Sequence, residues 1–388
     1  MIELEKTHPV QSRERAGRQG SIVGICVNVL LSGLKFVAGA LSGSVSVTGD
    51  AINNLSDAAS SVISLISFKI SGKPADKQHP FGHARIEYLG SSAVAFLMLL
   101  AAFELFKTSI GKIVAPDIAQ FSILSICVLG FSILAKLWLN RFYTRTGKKI
   151  DSPVLRAAAA DSLSDVIATS AVLLCAVFSP VIHFQLDGYM GLAVAVYIAV
   201  SGLKIVKSTL DQLIGKEPSA ELTEKIEAFI MEYPEVLRIH DLVVHDYGPK
   251  RCFASVHAEV DAGRDILESH DVIDNIEHEI EFAMGIHLVI HMDPVVTGDP
   301  YVDEMHQLAE QAVAGVDGKL TLHDFRVVKG TTHSNLIFDV VVPYDCKQDD
   351  DQITCGIADR LRAVDSRLHT VITIDRAYVS TRRGKNGD

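Results

Sequence analysis

The chain has 388 residues, 48% of them hydrophobic, a mean hydropathy of +0.26 and a formal net charge of −11. That hydropathy is high for a water-soluble protein and low for one lying wholly in lipid, so a membrane half joined to a soluble half is expected; the length leaves room for two or three domains. No basic stripe is present to grip phosphates, which argues against a nucleic-acid partner, and the six cysteines form no CxxC pair, which argues against a disulfide framework or thiolate metal site.

Taken in order, residues 1–20 read as a polar cytoplasmic arm carrying Arg13, Arg15 and Arg18. An apolar run follows, ending near Ala38-Gly39-Ala40. It superficially resembles a signal-peptide cleavage site, but the leader and the run are both long for one, so it reads as a retained first helix. Six candidate spans are expected at 21–42, 45–70, 87–108, 118–140, 153–180 and 187–209, each near or above the ~20 residues that cross a hydrocarbon core. The second and fifth, rich in Ser, Ala, Asp and Asn, belong inside the bundle, away from lipid.

Lysines and arginines set the orientation. They gather in the arm, in the loop after the second span (Lys73, Lys77, Arg85), after the fourth (Arg141, Arg145, Lys148, Lys149) and beyond the sixth (Lys204, Lys207, Lys216). The other side has mainly Lys107 and Lys112. Both termini are therefore expected in the cytoplasm, with the bundle in the plasma membrane and surrounded by lipid.

From about 213 the pattern changes to α-β-β-α-β. A helix is expected at 219–232, strands at 239–246 and 252–260, a helix at 266–284 and a strand from Ile286 to His291. The same order follows, with helices at 301–314 and 350–363 and strands at 322–329, 334–343 and 369–375. Ile239-His240-Asp241-Leu242 corresponds to Leu322-His323-Asp324-Phe325, Ser255-Val256-His257 to Ile337-Phe338-Asp339, and His287 to His369. An offset of about 82 residues sustained over three elements indicates an internal duplication. The expected fold is a membrane α-helical bundle of six transmembrane helices (21–212), then a ferredoxin-like cytoplasmic α+β domain (213–298), apparently duplicated as a second (299–380), with a disordered tail (381–388).

Three clusters could hold metal. In the second and fifth spans, Asp50 with Asn54, and Asp161 with Asp165, stand four residues apart and so share a helix face. Carboxylates at membrane depth are costly and usually mark ion pathways; hydrogen bonding between helices is the competing reading. The four offer oxygen only, which favours a hard divalent cation, Mn2+ first. Asp57, seven residues from Asp50, is expected to be a packing or supporting group and not a ligand. In the loop after the second span, Asp76, His79 and His83 form Asp-x2-His-x3-His; a solvated loop is the alternative. In the first α+β domain, His240, His257, His270, His291 and Asp293 are a plausible divalent-metal set, although scattered strand histidines are usually structural.

Asp-x3-Asn in the second span, Asp-x3-Asp in the fifth, His79-Pro80-Phe81-Gly82-His83-Ala84-Arg85-Ile86-Glu87 after the second and the histidine-bearing α-β-β-α-β tail resemble the cation diffusion facilitator family over about residues 10–295. The resemblance implies a homodimeric secondary transporter, not an enzyme, that exports a divalent metal in exchange for protons and uses no organic cofactor. It assigns Asp50, Asn54, Asp161 and Asp165 to the transport site, Asp76, His79 and His83 to a loop site, and His240, His257, His270, His291 and Asp293 to a cytoplasmic site. Zinc-type members usually carry His at the position of Asp161, so this chain looks like the manganese-type branch; a Zn2+, Fe2+ or Cd2+ exporter of the same family is the alternative. The second α+β domain lies outside the common family pattern. With Asp339 in place of His257 and Thr373 in place of His291, it is expected to serve as a scaffold or dimer contact and not to hold a complete metal site. Two further readings differ in class. An intramembrane aspartyl protease leaves the histidine clusters unexplained, and no Gly-x-Gly-Asp is present. A metal channel or sensor without proton coupling would be separated from an antiporter by its response to a pH gradient.

Overall fold

The computed structural model describes residues 9–42, 45–115, 123–182, 187–249 and 251–376. The expected turn at 43–44, the start of the fourth span and the tail after 380 lie outside the described residues. The chain divides into a helical unit ending at Lys216 and an α+β unit beginning at Glu217.

Among the described residues the helical unit holds six long helices: α1 (Pro9–Ser42), α2 (Val45–Ser71), α3 (Ile86–Val114), α4 (Ile123–Lys149), α5 (Pro153–Ile182) and α6 (Asp187–Ile214). Among the described residues four segments are long and apolar enough to cross a membrane unaided, within α1, α3, α4 and α6. Two further helices carry acidic groups along their length, α2 with Asp50 and Asp57 and α5 with Asp161 and Asp165. They are fed into the interior by their neighbours: α1 packs most extensively on α2, and α4 on α5. Small residues permit the close approach. A Cβ on Gly24 of α1 would overlap the Tyr143 hydroxyl, itself 3.3 Å from Ser61 Oγ of α2, so glycine is required there.

The first helix starts well before the expected span, and part of the expected polar arm is therefore helix. Arg13 is buried against α3, where its guanidinium pairs with the fully buried Glu87; Nη2 lies 2.9 Å from Glu87 Oε2, and Nε donates to the Ile150 carbonyl at 2.7 Å. Glu87 also accepts from Ser71 and Ser152 at 3.2 and 3.1 Å. A buried guanidinium is tolerable only with this degree of pairing.

The α+β unit contains α7 (Ala220–Ile230), β1 (Val236–Asp246), β2 (Cys252–Asp261), α8 (Ile266–Met284) and β3 (Ile286–Val295), then α9 (Pro300–Val316), β4 (Thr321–Lys329), β5 (Ser334–Val341), α10 (Asp350–Val364) and β6 (Leu368–Asp375). Each helix starts on a capping side chain, Ser219, Asp265, Asp299 and Asp349, that accepts from a first-turn N–H. Gly285, with φ 69°, ends α8 in the left-handed conformation that glycine adopts at no cost.

The two three-stranded sheets have the same design, with an antiparallel pair (β1–β2, β4–β5) extended by a parallel strand (β3, β6) that returns through a helix. Strand alternation sends one set of side chains into the core. Ile286, Leu288 and Ile290 pack with Val256, Ile226, Ile276 and Ile280 in the first sandwich, and Leu336, Phe338 and Val340 with Ile353, Ile357 and Leu361 in the second. Burying each such side chain contributes roughly 1.5–3 kcal/mol. The residues between them, His257, His291 and Asp339 included, fall on the opposite, open face. Both first strands carry a bulge, after His240 and after His323, and in each the next residue is a left-handed aspartate, Asp241 (φ 52°) and Asp324 (φ 50°).

Candidate metal centres

The membrane cluster lies in a cavity of about 540 Å³ lined from α2, α3, α4, α5 and α6. Asp161 and Asp165 both reach it, and the third carboxylate with them is Asp57: one oxygen from each of the three lies within 4.8 Å of the others. The Asp57 carboxylate therefore stands close to those of Asp161 and Asp165. Its signal is the stripe Asp50, Asn54, Asp57, since positions i, i+4 and i+7 share a helix face. The Asp50 side chain lies outside the described residues. Asn54 is buried and lines the same cavity, and its Oδ1 accepts from Lys35 Nζ of α1 at 3.3 Å.

A lysine on α4 completes the cluster. Lys136, 2% exposed, donates from Nζ to Asp57 Oδ2 at 2.7 Å and to Asp165 Oδ2 at 2.5 Å. Such charge-assisted bonds are the strong ones. The ammonium thus bridges the two oxygen-bearing helices at the place where a cation would bind. The rule that marked the aspartates, that a charge at membrane depth has a function, applies equally to Lys35 and Lys136.

The loop cluster forms as its spacing suggested. His79 Nδ1 lies 3.4 Å from Asp76 Oδ1, and His83 Nε2 lies 3.3 Å from Asp76 Oδ2. Backbone N–H groups of His79 and Gln78 donate to Asp76 Oδ1 and hold its carboxyl below the usual range. The turn that folds His83 back toward Asp76 uses Gly82 at φ 84°, a left-handed position suited to glycine. His83 Nδ1 is 3.1 Å from the Pro74 carbonyl, which leaves Nε2 as the free donor to a metal.

In the first sandwich the strand register aligns His240 with His257 and His257 with His291 across the open face. All three converge on Asp293: its Oδ2 is 3.2 Å from His240 Nε2 and 2.9 Å from His257 Nδ1, and its Oδ1 is 3.2 Å from His291 Nε2. The fifth expected member, His270, does not join them. It lies on α8 and lines a neighbouring cleft with Asp274, Glu277 and His291. Burial opposes protonation of His240, but its hydrogen bond with Asp241 and the charges of Asp241, Asp293 and Glu259 together outweigh this and raise its pKa above the ordinary imidazole value.

A polar helix pair carrying buried carboxylates inside an apolar bundle, joined to a histidine-bearing α+β unit, defines a membrane protein that handles divalent cations. Residues 21–214 match the cation efflux transmembrane domain, and residues 218–295 match the cation efflux protein cytoplasmic domain. The chain is 30% identical over 275 residues to an uncharacterised transporter, MJ0449, of Methanocaldococcus jannaschii (71% of this chain, 97% of that one). It is 28% identical over 282 residues to the cation-efflux pump FieF of Klebsiella pneumoniae (72% and 94%) and 25% identical over 292 residues to the manganese efflux system protein MneP of Bacillus subtilis (73% and 97%). The chain belongs to the cation diffusion facilitator family. It is a multi-pass membrane transporter that effluxes divalent cations, and not an enzyme.

Proposed function

We propose that the chain is a homodimeric Mn2+/H+ antiporter of the plasma membrane, with six transmembrane helices and both termini in the cytoplasm. The observation that carries this reading is the oxygen-only acid cluster on α2 and α5 with Lys136 bonded across it. Three carboxylates and a carboxamide suit a hard divalent ion, and similarity to a manganese efflux protein supports the same choice. The arginines and lysines at the expected inner ends support the orientation, and the match to a family cytoplasmic domain supports dimerisation through that part of the chain.

In this mechanism Mn2+ enters from the cytoplasm and takes the place of the Lys136 ammonium. Asp50, Asn54, Asp161 and Asp165 bind it, with Asp57 beside them. Helix rocking exposes the site to the other side, where protons on the carboxylates and the returning ammonium expel the ion. Asn54 contributes a neutral oxygen and keeps the site from holding its cargo too tightly. The loop trio, Asp76, His79 and His83, and the sandwich set, His240, His257, His291 and Asp293 with His270 nearby, are metal sites of the cytoplasmic side. The domain division follows, with a helical domain at 21–212, a metal-binding α+β domain at 213–298 and its duplicate at 299–380; the shared strand order, bulge and left-handed aspartate support duplication.

Reconstitution with an imposed proton gradient tests the reading. Mn2+ accumulation should follow the gradient and collapse when it is dissipated; accumulation indifferent to pH would make the protein a channel. Zinc is the second reading, favoured by the imidazole-rich sandwich site. Parallel transport of Mn2+, Zn2+, Fe2+ and Cd2+ separates the two.

A further inference from the structure

The second sandwich does not hold its own copy of the first sandwich's cluster. Its equivalents on the open face are His323, Asp339, Thr373 and Asp375. Yet His323 is only 4% exposed although it points away from its own core, because the first sandwich covers it: the His240 ring lies tilted against it with centroids 4.2 Å apart. Both of its ring nitrogens are buried without a hydrogen-bond partner among the described residues. An orphaned buried imidazole is destabilising and calls for an explanation.

Two carboxylates aim at it from different sandwiches. His323 Nε2 lies 3.8 Å from Asp241 Oδ1 and 3.6 Å from Asp375 Oδ2, and the three residues offer ligand atoms within 4.8 Å of one another. These distances are too long for hydrogen bonds. They are close to the ~3.4 Å that separates donors sharing one cation at metal–ligand distances of about 2.1 Å. Asp241 is aimed there by its left-handed backbone, while its other oxygen, Oδ2, is engaged by His240 Nδ1 at 3.2 Å. The imidazole offers a nitrogen ligand, and two carboxylates supply the charge to match a dication.

We propose that Asp241, His323 and Asp375 form a divalent-cation site between the two sandwiches, distinct from the one centred on Asp293, and that the bound ion clamps the second sandwich onto the first. Asp339 is the neighbour of His323 in the strand register. This proposal is independent of which ion the membrane site carries.

Zn2+ is the probe. The full-length protein, stripped with chelator in detergent, is titrated with Zn2+, and bound metal is counted by mass spectrometry. His323→Ala and Asp375→Asn should each lower the count by one ion per chain and at least halve the Zn2+-induced rise in melting temperature. His291→Ala should also lose metal but keep the ion that His323→Ala loses, so the double variant loses more than either single one. Asp375→Asn decides the matter should His323→Ala lower the melting temperature of the metal-free protein, since the Asp375 side chain is 31% exposed and tolerates the change. An unchanged count and melting-temperature rise in Asp375→Asn would overturn the proposal.

Discussion

Replacing Lys136 with methionine tests whether the membrane site is held ready by its own cation. The Nζ atom stands 2.7 and 2.5 Å from two carboxylate oxygens. A dication placed among those oxygens with the ammonium still ~5 Å away would be repelled by about 7 kcal/mol at an effective dielectric constant near 20. The lysine must therefore leave, and each charge-assisted bond it gives up costs about 1.5–3 kcal/mol. The methionine side chain would remove that cost while keeping most of the length. Part of the gain is lost again, because without the ammonium the three carboxylates draw apart and take on water. The net expectation at pH 8 is binding about tenfold tighter, or about 1.4 kcal/mol. Equilibrium Mn2+ binding to the chelator-stripped, full-length protein in detergent measures this. The difference between Lys136→Met and Lys136→Met/Asp161→Ala isolates the membrane site from the others. Turnover in proteoliposomes should fall as affinity rises, since nothing returns to expel the ion, and Lys136→Arg should stay close to the parent in Kd. A monodisperse Lys136→Met protein that binds Mn2+ no more tightly than the parent at pH 8 would refute the idea that the lysine competes with the cargo.

The remaining predictions concern other residues. Asp161→Ala should abolish metal-driven proton flux in proteoliposomes, and Asp161→His should shift the Mn2+/Zn2+ transport ratio toward zinc; an unchanged ratio would count against oxygen-only selectivity. Arg13→Ala strands the fully buried Glu87 and should destabilise the detergent-solubilised protein by about 3–5 kcal/mol, whereas Arg13→Met/Glu87→Met should recover most of that loss. Equal melting temperatures for the single and double variants would contradict the pairing. Burial pushes the Cys252 thiol up to about 11, with the nearby Asp246 carboxylate adding to the effect, so at pH 7 a soluble maleimide should label the exposed Cys355 far faster. Labelling of Cys252 should rise with pH toward that value, and a rate equal to that of Cys355 at pH 7 would show the thiol to be open.

What can be read from the residues follows from the range of the interactions involved. Helix and strand positions in the α+β unit are legible because alternation and capping are local; the helix expected at 266–284 matches α8 at both ends. The Asp76, His79 and His83 trio is legible for the same reason, as a single turn closes it. Within the membrane helices, the acidic faces of α2 and α5 show in the spacing. That Asp57 meets Asp161 and Asp165 depends on how the helices are rotated and packed, which spacing leaves open. Lys136 escapes notice because average apolarity identifies the fourth span, and a single charge hardly changes that average. Residue type groups His270 with the other histidines, but a helix carries it to a different cleft. The contact of His323 with His240 and Asp241 is beyond the reach of spacing, since it arises from the meeting of two sandwiches.

That meeting has a consequence for how the unit behaves at different expression levels. The segment from Val295 to Pro300 joins the first sandwich to the second, so the surface bearing His323 is presented to His240 within one molecule. A short tether keeps two such surfaces at an effective concentration on the order of millimolar. Their association therefore does not depend on how many copies of the transporter share the membrane, unlike any contact that must form between separate chains. A sparse population of transporters and a crowded one would carry this face closed to the same extent.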